Sequence, residues 1–129
     1  MASRLEGLNK QLGTNLLATR DIQKSVEGRL VCRLVGHFKF KGFDQVVEVH
    51  ELVATKENEE SSRAWREAFA EGLHHFQRKA FDAAENSFRH TLELRPGDGP
   101  ASFYLSRIPD YRSQRLTIEW TGEIDLREK

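Results

Sequence analysis

Two strand-like runs, Arg29 to Lys41 and Val46 to Val53, flank the segment Lys41-Gly42-Phe43-Asp44-Gln45. The first is rich in Leu, Val and Phe. In the second, Val47, Val49 and Glu51 alternate with Val46, Glu48, His50 and Leu52, the period of a strand with two distinct faces. A glycine-bearing turn between such runs predicts an antiparallel hairpin. A lone hairpin is marginal in water, so this feature demands further strands or a covering layer. Upstream, Leu5, Leu8 and Leu12 recur at helical spacing over Ala2 to Leu12, with Gly13 as the stop. Thr14 to Thr19 reads as a short strand. Asp21 then caps a short helix to about Glu27, which Gly28 ends.

Beyond residue 56 the pattern changes. Trp65, Phe69, Leu73 and Phe76 follow a three- to four-residue spacing, the mark of an amphipathic helix. Lys79-Ala80-Phe81-Asp82 interrupts it. Asp82 to Leu94 predicts a second helix, with Ala84, Phe88 and Leu92 on one stripe, closed by Pro96-Gly97. A third helix begins at Asp98 or Gly99-Pro100, where an early proline loses no hydrogen bond, and runs to about Ile108. Leu116 to Trp120 reads as a short strand or an extended arm. The polar seam Glu57 to Ser62 reads as a linker in which Ser61 or Ser62 caps the first of these helices. The expected fold is α+β. Residues 1–56 form a small, mainly antiparallel sheet with helices, 57–62 a linker, 63–108 a helical hairpin with a third helix, and 109–129 a C-terminal tail.

Charge excludes some functions. The 129 residues carry 20 Lys and Arg against 20 Asp and Glu, so the formal net charge is zero. Nucleic-acid binding rests on a clustered basic surface, which such a balance does not supply. The apolar runs are a few residues long, far short of a membrane span. Cys32 is the only cysteine, so no intramolecular disulfide can form, and the expected compartment is the reducing cytoplasm. His74 and His75 are adjacent, and neighbouring helical residues point about 100° apart, so they cannot chelate one metal ion together. Cys32, in an apolar strand, reads as a small packing residue.

Gly72, Ala84, Phe88 and Pro96 fall at the spacing of the tetratricopeptide helix pair, and residues 63–108 resemble one such repeat. A single repeat cannot cover both its faces, so a neighbour is required. The third helix can cover one face; the other must pack on residues 1–56 or on another chain.

Ala2-Ser3-Arg4-Leu5-Glu6-Gly7-Leu8-Asn9-Lys10 resembles a stretch near the C-terminal end of the class III adenylate/guanylate cyclase catalytic domain. There an Asn–three residues–Arg signature opens a helix and Leu-Glu follows. The likeness continues through the strand after Gly13-Thr14, the short helix, the strands around Lys41-Gly42 and the run Val47 to Leu52. Pro96 to Ala101, Trp120-Thr121-Gly122 and Lys129 are similar to the helical tail of many bacterial members. The resemblance implies cyclic-nucleotide signalling, with Arg4 stabilising the transition state and Lys41 holding the triphosphate. Without it, Arg4 is a surface charge on a terminal helix and Lys41 a turn lysine that keeps a sheet edge soluble.

In that family the Asn of the signature, two metal-binding aspartates and the purine-selecting residues precede the matched stretch, and neither Asp21 nor Asp44 sits in the metal motif. This chain alone is therefore expected to retain no cofactor, Mg or Mn belonging to the complete domain, and to be inactive, taking ATP only when the rest of the domain is supplied. The expected partners are a second copy of the chain, as a two-fold dimer, and a protein or peptide for the helical tail. One alternative is a stand-alone interaction module of tetratricopeptide type without catalysis. Another is a non-catalytic nucleotide binder using Arg4 and Lys41.

Overall fold

A computed structural model describes residues 2–14 and 16–126 of the chain. Helix α1 (Ala2–Leu12) leads through β1 (Leu17–Thr19) and α2 (Arg20–Val26) to the hairpin strands β2 (Leu30–Lys39) and β3 (Val47–Thr55). A 3-10 turn at Lys56–Asn58 opens into α3 (Glu59–Gln77), then α4 (Phe81–Leu94), α5 (Gly99–Ser113) and the short strand β4 (Ile124–Asp125). Among the described residues the fold is α+β, with five α-helices and a four-stranded mixed sheet of order β1-β3-β2-β4. Strand β3 lies antiparallel to β1 and β2, whereas β4 runs parallel to β2. Among the described residues no helix is long and apolar enough to cross a membrane.

The elements arise largely where their periodicity puts them. The leucine stripe of α1 buries Leu8 and Leu12, and α3 buries Trp65, Phe69, Leu73 and Phe76. Lys79 ends α3 in the left-handed region at φ 64°. The amides of Lys79 and Ala80 donate back to Phe76 and His75 at 3.0 and 2.9 Å, so two otherwise orphaned carbonyls are satisfied. Between α3 and α4, a Cβ added to Gly72 would lie 2.7 Å from the Phe88 ring, so only glycine lets the two helices approach this closely. Phe88 in turn stacks on Tyr104 of α5 at 5.1 Å. The Tyr104 phenol, pushed far up by burial, stays neutral and donates to the carbonyl of Val35 on β2 at 2.8 Å. One continuous core thus joins sheet and helices.

Several local expectations are corrected. The strand expected over Thr14 to Thr19 is confined to its last three residues; Asn15 within it, and Lys129, lie outside the described residues. Thr19, not Asp21, occupies the N-cap of α2, so Asp21 sits in the first turn, where its charge favours the helix dipole. Ser61 and Ser62 lie inside α3, because the 3-10 turn brings the helix start forward to Glu59; Asn58 holds the N-cap. Helix α5 does not stop at Ile108 but continues through Pro109 to Ser113. Proline there forfeits one backbone bond, while Ile108 and Tyr111, buried on either side of it, hold the helix against the core. Leu116 to Trp120 forms no strand; a turn closes it, with the Trp120 amide donating to Thr117 at 3.2 Å. The fourth strand comes later, at Ile124–Asp125.

The join between sheet and helices is ionic as well as apolar. Asp98 caps α5, accepting the Ala101 amide at 3.1 Å. The same carboxylate takes two bonds from the Arg33 guanidinium, at 2.6 and 3.0 Å. Arg33 also donates to Glu51 at 2.8 Å and lies over the rings of Trp65 and Phe69. Removing one member of a buried pair strands the other charge, at about 3–5 kcal/mol. Asp98→Ala is accordingly expected to lower unfolding stability by about that amount, read from urea denaturation. Asp98→Asn, which keeps a competent cap, isolates the ionic share.

Candidate functional site

Arg4 and Lys41 are 37 positions apart in sequence and meet in space. Arg4 stands in the first turn of α1, one turn before Leu8 and on the same side of the helix. Lys41 follows Phe40 at the end of β2, in the turn that the Phe43 amide closes on the Phe40 carbonyl at 3.1 Å. The α1 helix and this turn form the walls of one cleft of about 190 Å³, with Ser3, Gln11 and Leu126 completing its lining. A guanidinium nitrogen of Arg4 lies 3.7 Å from where a Cβ on Gly42 would sit, so the arginine reaches the lysine's own turn. Both cations are exposed, and among the described residues neither is paired with a carboxylate.

This arrangement suits an anion. A planar guanidinium offers forked donors, and a lysine adds a compact positive charge. It does not suit a divalent cation. The described lining offers a hydroxyl, an amide and two cations, whereas magnesium and manganese prefer carboxylate oxygens. Among the described residues no group of three or more His, Cys, Asp or Glu side chains is placed to hold a metal ion. His74 and His75, on α3, have ring centroids 6.0 Å apart.

Two further groupings escaped the sequence reading. The Arg33–Asp98–Glu51 cluster is signalled by an arginine midway along an apolar strand, but its partner is 65 residues away. The second forms because the hairpin register sets His37 opposite Glu48. The Glu48 carboxylate lies 2.7 Å from His50 Nε2, 3.7 Å from His37 Nε2 and 3.4 Å from Arg20. Burial acts to raise this carboxyl. The hydrogen bond and charge of His50, with Arg20 and His37, outweigh burial and hold it below the ordinary carboxylate range. A third feature is a groove of about 310 Å³ between α3 and β2, lined by Leu34, Phe69, Ala70 and Leu73 with Cys32 at its wall. Cys32 is half-buried, and burial pushes its thiol up, which leaves it a packing residue and a poor nucleophile.

Compared with protein-family models, curated proteins and solved structures, the chain matches none.

A carboxyl held low in the folded state adds stability above its unfolded pKa, about 4.3 for Glu, and that stability is lost as pH falls through the folded value. Glu48→Gln removes this contribution. The urea-midpoint difference between the native chain and Glu48→Gln is expected to be full at pH 6 and to close as pH falls toward 3. A difference independent of pH would show that Glu48 acts by packing alone.

Proposed function

We propose that this chain is the C-terminal portion of a class III nucleotide cyclase catalytic domain followed by a tetratricopeptide-like helical tail, and that the Arg4–Lys41 cleft receives the polyphosphate of a nucleoside triphosphate. The observation that carries this reading is the meeting of the two cations on one cleft, with no carboxylate paired to either among the described residues. Gly72 packed on Phe88 and the Asp98-capped start of α5 support the reading of the tail.

Cyclisation has the ribose 3′-hydroxyl attack the α-phosphorus; the new O–P bond forms as the bond to pyrophosphate breaks, and the hydroxyl proton is lost to a base. Negative charge grows on the phosphoryl oxygens, and fixed cationic donors lower its energy. Arg4 suits that role and Lys41 suits the departing phosphates. The described cleft lining supplies neither a base nor a metal-binding carboxylate. On this reading the chain by itself binds triphosphate weakly and forms no product.

Isothermal titration with ATP and Mn²⁺, with cyclic AMP assayed in the same samples, tests this. Binding without product is the expected result, with a loss of about tenfold or more in Arg4→Ala and in Lys41→Ala, the scale of one charge-assisted contact. Absence of binding by a folded chain would remove the reading. Product formation would overturn the need for carboxylates from elsewhere.

The same reading includes a dimer. Strand β1 is a three-residue sheet edge, and Leu16 and Ile22 beside it are 59% and 51% exposed. Exposed apolar groups at a free edge favour pairing with a second copy. Light scattering after size exclusion is expected to give twice the chain mass, and Ile22→Lys to shift it to the monomer. A monomeric native chain would refute the dimer.

A further inference from the structure

Beyond α5 the chain turns back over its own core and brings Leu126 to the cleft. The Trp120 ring packs against those of Phe76, Phe81 and Tyr111, with centroids 5.3, 6.3 and 5.5 Å away. Its indole N–H donates to the Glu123 carbonyl at 3.1 Å, and the Glu123 carboxylate accepts the amide and hydroxyl of Thr121 at 3.1 and 3.2 Å. Gly122, at φ +101°, makes the turn, and a Cβ there would lie 2.5 Å from the Gln77 side chain at the end of α3. Residues 120–123 are thus a hydrogen-bonded turn seated on the junction of α3 and α4.

The next three residues lead straight to the cleft. Ile124 is fully buried and pairs with Phe38, and Asp125 pairs with Lys39. The Leu126 amide donates to the Lys39 carbonyl at 2.9 Å, and Leu126 lines the cleft with Arg4 and Lys41. Lys39 is two residues from Lys41. The run from Gly122 to Leu126 is thus held at both ends, by the hydrogen-bonded turn at residues 120–123 and by its pairing with the end of β2.

We propose that residues 120–126 are a strap through which the helical hairpin controls the Arg4–Lys41 cleft. Any event that lifts Trp120 from the α3–α4 junction withdraws Leu126 from the cleft wall and frees the Lys39 carbonyl, and the turn carrying Lys41 loses its support. As regulation of a polyphosphate site, the proposal rests on the function proposed above; as mechanical coupling, it does not.

The experiment titrates the native chain, Trp120→Ala, Trp120→Phe and Ile118→Ser with inorganic tripolyphosphate, and measures amide hydrogen exchange in each. Ile118 is 93% exposed in the same tail and serves as the control. Trp120→Ala is expected to weaken tripolyphosphate about tenfold, the scale of one lost anchoring interaction. It is also expected to speed exchange at the Phe43 and Leu126 amides while leaving the β1–β3 ladder protected. Trp120→Phe restores both, and Ile118→Ser changes neither. A folded Trp120→Ala chain with native affinity and native exchange at Phe43 and Leu126 overturns the strap. Where the native chain does not bind tripolyphosphate, the polyphosphate reading fails, and the strap is decided by exchange alone. Where Trp120→Ala does not fold, Leu126→Ser tests the other end: weaker binding and faster Phe43 exchange with Trp120 fluorescence unchanged support the strap, and native values refute it.

Discussion

The Arg33 guanidinium is the group on which the arrangement of sheet and helices depends. Its side chain is 3% exposed, too deep for solvent to neutralise it, and a buried charge needs partners that fill its donors. Those partners come from three other elements: Glu51 of β3, Asp98 at the head of α5, and the ring faces of Trp65 and Phe69 on α3. Arg95 adds a second cation, over Trp65 at 4.1 Å and bonded to Asp98 at 3.2 Å. Two cations therefore face two carboxylates, and the cluster closes without residual charge.

The same turn also fixes α1. Gly99, next to Asp98, lies so close to the end of α1 that a Cβ would sit 1.5 Å from the Leu12 carbonyl oxygen. Asp98 thus ties the tail to β2, and Gly99 presses it against α1. Lys41 lies in the turn that follows the first of these elements, and Arg4 on the second. The α3–α4 pair finds its cover in α5 and the sheet, through Tyr104 between Phe88 and the Val35 carbonyl, and needs no second helical pair on that side. With the C-terminal strand added, the helical tail is joined to both walls of the cleft.

Much of the local structure was readable from spacing. The leucine stripe of α1, the hairpin around Gly42, the aromatic stripe of α3 and the helix start after Pro96-Gly97 each depend on residues within a turn or two. Failures came where distant contacts outweighed local preference. Pro109 sits inside α5 because Ile108 and Tyr111 are buried beside it. Ile124 and Asp125 are too few to show a period, yet they pair with β2 because Ile124 is drawn fully into the core. His37 and His50 lie on different strands of the hairpin, and its register, with two irregularities, gathers them around Glu48. As for the cleft, pattern alone makes Arg4 and Lys41 ordinary surface charges; the family resemblance singled them out, and nothing in their spacing says that they meet.

The sequence by itself determined which segments become helix or strand and where most of them stop, because periodicity, caps and glycine or proline stops act over a few residues. Tertiary structure decided which side chains meet. Arg33 with Asp98, Arg4 beside the turn of Lys41 and the Leu126 amide on Lys39 are pairings across 37 to 87 positions of chain. They form only when packing removes water and buried charges and backbone groups must find partners within the fold.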